Sequence, residues 1–411
     1  MFKLVQVSEA YGYRLVLSGD TRQHGPVERG DSLKILQDHA DLQLIKMGRI
    51  QRQTGRYREA VEHIAEGRII EGYQILDSLN WICEVSNEDR HKHLAREYLA
   101  SLREGKTALV ISPTRRECRQ VTDTIREERI NAGEITEEHV LSTLREIDLS
   151  EAQRRDARTY RPGFIIEMLK SAPGFAPGER LEVMTVGHHP ESGLTVRREN
   201  GAELPLPVHR YGDRFQVYEK EEIAIGPGEP VLFTKNGWSI DDKFRVHNGG
   251  LRTIESFTSR GDLVLDSGVV ISKDFAHFSY GYVTTSHASQ GKTVDRVFIA
   301  ESSDSFGAAS MQQFNVSVTR GREFCRIYTD DKEDLRDAVQ INSLRIAALD
   351  LVNDEENRVR DHKEELRRAQ QRAEARLPVL PPRSNLRWKL GHEVRFPEPT
   401  RERESPAAMG F

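Results

Sequence analysis

Tyr282-Val283-Thr284-Thr285-Ser286-His287-Ala288-Ser289-Gln290-Gly291-Lys292-Thr293 and, a little further on, Phe314-Asn315-Val316-Ser317-Val318-Thr319-Arg320-Gly321-Arg322 are the stretches on which the reading of this 411-residue chain turns. The first opens as an apolar strand from Gly281 to Thr284, gives way to a polar loop and enters a helix. Hydroxyls and an imidazole at Thr285, Ser286 and His287 suit the oxygens of a nucleic-acid backbone. Gln290 and Gly291 follow on the far side of the loop, where Gly291 admits close backbone approach. A polar strand-to-helix cap is the bland alternative, and it leaves so long a run unexplained. Lys292 carries less weight, because many solvated lysines look like it.

Outward from this block, the chain alternates helix and strand from about residue 46 to 130. Tyr57 to Leu79 reads as helix, with Ala60, Ile64, Ile69 and Ile70 on its apolar positions. Trp81 to Val85 reads as a short strand and Asp89 to Leu102 as an amphipathic helix. Ala108 to Ile111 is an apolar strand closed by Ser112-Pro113-Thr114, before a helix from Arg115 to Glu128. Such alternation builds a doubly wound parallel sheet, so the fold class is α/β. Upstream, Tyr13 to Ser18 has the pattern of a strand buried on both faces, ending in the loop Gly19-Asp20-Thr21-Arg22-Gln23. Nothing before it could supply neighbouring strands, so residues 1–45 are expected to be the remnant of a domain. Between residues 160 and 272 the period changes to short strands with Gly and Asn turns, expected as a small β-barrel inserted in the α/β lobe. The lobe then spans 46–159 and 273–348. Residues 349–411 read as a charged, solvated helix and a Pro-rich tail.

Composition sets limits. Hydrophobic residues make up 37% and charged residues 30%, and no apolar run approaches the ~20 residues that span a bilayer. The start lacks a secretory signal. Three widely spaced cysteines, Cys83, Cys118 and Cys325, argue for a reducing cytoplasm and against a disulfide framework or a metal site. The net charge of −5 does not advertise nucleic-acid binding, although a local basic track would suffice for it.

Other residues carry candidate chemistry. Gly19, Asp20 and Gln23 sit at the C-terminal end of an expected sheet strand, where ligands bind in open α/β folds; a surface turn is the plainer reading. Arg52 offers a planar fork of donors suited to phosphate, or a solvated ion-pair partner. Pro113 and Thr114 open a helix, which favours a phosphate or simply an N-cap. Three patterns are set aside. Gly105-Lys106-Thr107 and Gly291-Lys292-Thr293 lack the first glycine of a phosphate-binding loop, with Ala100 and Ser286 in its place. His91-Lys92-His93 puts its histidines on different helix faces and reads as solvated.

The blocks Gly19 to Gly30, Tyr282 to Asp295 and Asn315 to Glu323 resemble motifs III, V and VI of RecD-like superfamily-one helicases. Their order, with a β-insertion before motif V, resembles the helicase part of conjugative relaxase–helicases of the TrwC/TraI type over roughly residues 11–345. The resemblance implies RecA-like lobes of the P-loop NTPase type around ATP and Mg2+, with a small SH3-like barrel inserted in the second lobe. It implies that Gln23 senses the terminal phosphate, that Arg52 is the motif IV arginine, and that Arg320 is an arginine finger. Gly19, Asp20, Gln290 and Gly291 would complete the ATP site. Pro113, Thr114, Thr285, Ser286 and His287 would meet single-stranded DNA, while Arg322 would make a structural or inter-lobe ion pair. The sequence departs from the pattern: it has no Gly-x-x-x-x-Gly-Lys-Ser/Thr loop, no Asp-Glu pair ahead of Gly19 and no nicking domain. The expected function is therefore part of an ATP-dependent DNA translocase of plasmid transfer, inactive alone and completed by a missing N-terminal motor or relaxase portion. A RecD-like recombination or repair helicase fragment, a non-catalytic single-stranded DNA-binding module and a remnant without function are the alternatives.

Overall fold

A five-stranded, wholly parallel sheet organises the α/β portion. Its strands lie in the order Ile82–Glu84, Gly321–Thr329, Val294–Ala300, Ala108–Ser112 and Val283–Thr285. Side chains alternate across a strand, so Leu109, Ile111, Val297, Ile299, Cys325 and Ile327 enter one core. Val110, Phe298, Ala300 and Tyr328 enter the other. Helices Gly55–Ala65, Ile69–Ser78, Met311–Val318 and Lys332–Ala338 cover the first face through Tyr57, Ile64, Leu76, Phe314 and Leu335. Helices Arg90–Arg103 and Arg115–Asn131 cover the second through Leu94, Leu99, Val121 and Ile125. Each fully buried aliphatic or aromatic side chain contributes about 1.5–3 kcal/mol, and two covered faces explain why the strands read as continuous apolar runs.

This computed structural model describes residues 1–25, 31–40, 44–45, 50–189 and 191–343. They lie in one compact unit, Met1–Ala347. Residues 26–30, within the block Gly19 to Gly30, and the expected tail at 349–411 lie outside the described residues. No described helix is long and apolar enough to cross a membrane.

Three local expectations are corrected. The helix expected over Tyr57 to Leu79 is two helices, because the chain turns at Gly67 with a φ of +86°. Tyr13 to Ser18 is not a strand: it follows the helix Phe2–Tyr11 without regular structure, and Tyr13, Leu15 and Val16 are exposed. An apolar run becomes a strand only where a neighbour pairs its N–H and C=O groups, and no described strand lies beside it. Antiparallel pairing also begins earlier than the turn signals suggest. His139–Glu146 pairs with Phe215–Ile225 in a six-stranded sheet that continues through Ile165–Met168, Arg180–Val186, Leu194–Arg198 and Glu203–Leu206. A separate five-stranded antiparallel sheet runs from Pro230–Phe233 to Phe278–Tyr280. With the short antiparallel pair Gly237–Trp238 and Arg245–Val246, the stretch read as one barrel thus contains strands of three sheets.

Candidate functional site

All five parallel strands end on the same edge, and the two loops expected to meet nucleic acid leave it side by side. Thr285 pairs in register with Ser112, so Ser286-His287 emerges next to Pro113-Thr114. Thr114 caps the helix Arg115–Asn131 by accepting from the Glu117 amide at 3.2 Å, which is the plainer of its two expected roles. Thr285 caps Ser286–Ser289 in the same way. Ser286 is 2% exposed, whereas His287 is open.

From Ser289 the chain runs back towards the start of strand Val294–Ala300, and there a cationic cluster forms. Gly291 makes the turn with a φ of +85° and nothing near where a Cβ would stand; here the glycine serves the left-handed backbone. Arg320, immediately before strand Gly321–Thr329, is 3% exposed. Its guanidinium donates to the Val316 carbonyl at 2.7 Å, the Thr319 hydroxyl at 2.8 Å and the Lys292 carbonyl at 3.4 Å. Arg52 donates to the Thr319 carbonyl at 2.6 Å. Burial first, and the neighbouring Arg52 cation second, pull Arg320 down to about 10. Burial alone lowers Lys292. Among the described residues no carboxylate figures in setting the charge of either. Two neighbouring guanidinium groups, those of Arg52 and Arg320, with no carboxylate named among the causes acting on Arg320, form a donor set suited to a polyphosphate, and on that ground the residues present fit an ATP phosphate group.

The segment Asp20–His24 lies across this loop. Gln290 donates to Gln23 Oε1 at 3.3 Å, Gln23 donates to Asp20 at 2.9 Å, and Asn315 donates to the Arg22 carbonyl at 3.1 Å. A cavity of about 330 Å3 opens beside it, lined in part by Gly19, Asp20 and Gln23. A Cβ on Gly19 would come within 2.4 Å of Leu33. Gly19, Asp20, Gln23, Arg52, Gln290, Gly291 and Arg320 therefore belong to one connected set, and Arg322 pairs with Asp295 at 3.4 Å as expected.

Several residues escaped the sequence reading. His24 stacks on His287, ring centroids 3.5 Å apart, and bonds Ser286 at 3.0 Å; its only signal was adjacency to Gln23. Gln53 is buried and donates to the Thr319 carbonyl at 3.1 Å and to that of Gly321. A buried polar knot also lies at the C-terminal ends of the strands. Arg90 meets Glu117 at 2.9 Å, Ser112 donates to Glu117 at 3.0 Å, and His91 lies 3.6 Å from Glu117. His91 is thus packed against an ion pair, which corrects the expectation that it is solvated. Burial works against the Glu117 charge, but His91 and Arg90 hold it below the usual carboxylate range. Glu301 is wholly buried, and neither oxygen has a hydrogen bond of normal geometry among the described residues, although the nearby Gln313 side chain weakly favours its charge. Burial, then repulsion from Glu117, push it up to about 8.

A family model described as an AAA domain matches residues 1–87. The multifunctional conjugation protein TraI of Escherichia coli is 20% identical over 378 residues, covering 80% of this chain but only 21% of that protein. Among solved structures, the Pif1 helicase from Bacteroides in complex with ADP-AlF3 and single-stranded DNA is 16% identical with a TM-score of 0.30, covering 86% of this chain and 68% of that one. The Pif1 helicase from Candida albicans is 15% identical with a TM-score of 0.29, covering 79% and 66%. Scores this low carry no argument about shared arrangement. Taken with the order of the motifs, the AAA-domain match and the similarity to TraI support a TraI/RecD-like helicase portion.

Proposed function

We propose that this chain is the trigger-carrying part of an ATP-dependent DNA translocase that acts on single-stranded DNA in plasmid conjugative transfer. The observation that carries the reading is that Gln23 and Arg320 both bond the loop that holds Gln290, with Arg52 beside Arg320 on the Thr319 carbonyl, and that the other end of this loop bears Thr285, Ser286 and His287. Arg52 and Arg320 would face the phosphates, and Gln23 would report the terminal one. Magnesium-bound ATP would supply the transferable phosphoryl group. A buried guanidinium stabilises charge that develops in phosphoryl transfer, an effect worth on the order of 10³–10⁵ in rate. Thr114, Thr285 and His287 would hold the strand at the other edge of the sheet. A single loop in contact with both ligands is the simplest way for the state of one to alter the grip on the other.

The sequence lacks a phosphate-binding loop, so the chain alone is expected to turn over no ATP. The deciding experiment is DNA-stimulated ATP hydrolysis by the purified chain, with and without a first lobe restored in cis. Turnover appearing only with the added lobe supports the reading. Turnover by the unaided chain overturns its dependence on that lobe. Salt-sensitive DNA binding with no turnover in either form would favour a non-catalytic single-stranded DNA-binding module.

A further inference from the structure

His24 makes two directional contacts with the loop assigned above to strand binding. Its ring lies nearly parallel to that of His287, at an interplanar angle of 14° and a centroid distance of 3.5 Å. Its Nε2 is 3.0 Å from the Ser286 hydroxyl. The stack limits tilting of the His287 ring, and the bond to Ser286 fixes the stack relative to the backbone. Ser286 is buried and engaged, so the polar group left to face a ligand is His287. One face of its ring is covered, and no described residue bonds its nitrogens. The groups facing the pair are few: burial first, then the His287 ring, then the Arg320 cation act on His24, which is held down to about 4. Burial lowers His287. The stack is therefore one of neutral rings at neutral pH. His24 also follows Gln23 directly, so the nucleotide-facing segment and the strand-facing loop meet through adjacent residues.

We propose that His24 is a positioning residue for strand binding: stacked on His287 and bonded to Ser286, it sets the orientation in which the loop Thr285–His287 meets a nucleic-acid phosphate. This rests on the DNA-binding reading above. Preorganising a binding group in its bound orientation strengthens binding by removing the ordering cost, and an aromatic pair of this kind is expected to alter affinity by about three- to tenfold.

The test is fluorescence anisotropy of a labelled oligothymidylate against the full chain and three variants. His24→Ala should weaken binding by about three- to tenfold, and His24→Phe, which keeps the stack, should recover most of the loss. Combined with His287→Ala, His24→Ala should cost nothing more, because the two residues act as one unit. Additive losses, or full affinity in His24→Ala, would overturn the proposal. Histidine NMR supplies a readout free of DNA: the His287 titration should move up towards the ordinary value in His24→Ala, and an unmoved titration would also overturn it. If the parent chain binds no oligonucleotide while that coupling is present, the strand-binding reading fails, and the role of His24 in it fails with it.

Discussion

Replacing Glu301 by glutamine should stabilise the protein, and the gain should grow with pH. The carboxyl lies at the end of the parallel strand Val294–Ala300, wholly buried, with neither oxygen hydrogen-bonded among the described residues. Burial and the nearby Glu117 raise it from an ordinary 4.5 to about 8. The folded state therefore keeps a proton that the unfolded chain releases above its ordinary value. Where the folded state binds more protons, stability falls as pH rises. The contribution is complete below 4.5 and is lost as pH climbs through about 8. At pH 7 the gap between ordinary value and pH amounts to about 3 kcal/mol, and the loss approaches about 5 kcal/mol once the folded-state group ionises. The amide has the same shape and no charge to release, so Glu301→Gln should match the parent within about 1 kcal/mol near pH 5 and exceed it by about 3 kcal/mol near pH 7. Urea unfolding followed by tryptophan fluorescence suits the measurement, because Trp81 packs edge-on between Tyr57 and Phe324 in the α/β core. A stability difference that does not change with pH would refute the reasoning.

With a first lobe restored, Arg320→Ala should lower ATP turnover by about 10³-fold or more while oligonucleotide affinity stays within about threefold; an equal loss of both would assign Arg320 to structure alone. Gln53→Ala removes the donor to the Gly321 carbonyl, while Arg52 still serves that of Thr319, and should cost about 1–2 kcal/mol in urea unfolding; a neutral effect would mean that the Gly321 carbonyl finds another partner. Acidification should loosen the segment around His24, since its value of about 4 against an ordinary 6.5 means that the released segment takes up a proton the docked one refuses. Docking is then flat above 6.5 and weakens as pH falls towards 4. Hydrogen exchange of the Arg22–Gly25 amides, unchanged between about pH 7.5 and about pH 5 after correction for intrinsic rates, would count against it.

The chain's local patterns determined a good deal unaided. Apolar runs bounded by turn residues located the strands Ile82–Glu84 and Ala108–Ser112 and the helices Arg90–Arg103 and Arg115–Asn131 that follow them, because side-chain period follows backbone geometry. The polar loop after Thr284 and the arginine after Thr319 marked the site by residue type. Tertiary structure decided the rest. Tyr13 to Ser18 has the composition of a strand but no ladder partner among the described residues, and pairing is a property of two segments. The single barrel read from residues 160–272 is instead divided among separate sheets, one of which begins with His139–Glu146 pairing to Phe215–Ile225, a long-range match that no local period encodes. His24, Gln53 and Glu301 are unremarkable in sequence. What gives them meaning is a stacked ring, two buried carbonyls and a carboxyl shut away from water, and each is created only when distant parts of the chain close on one another.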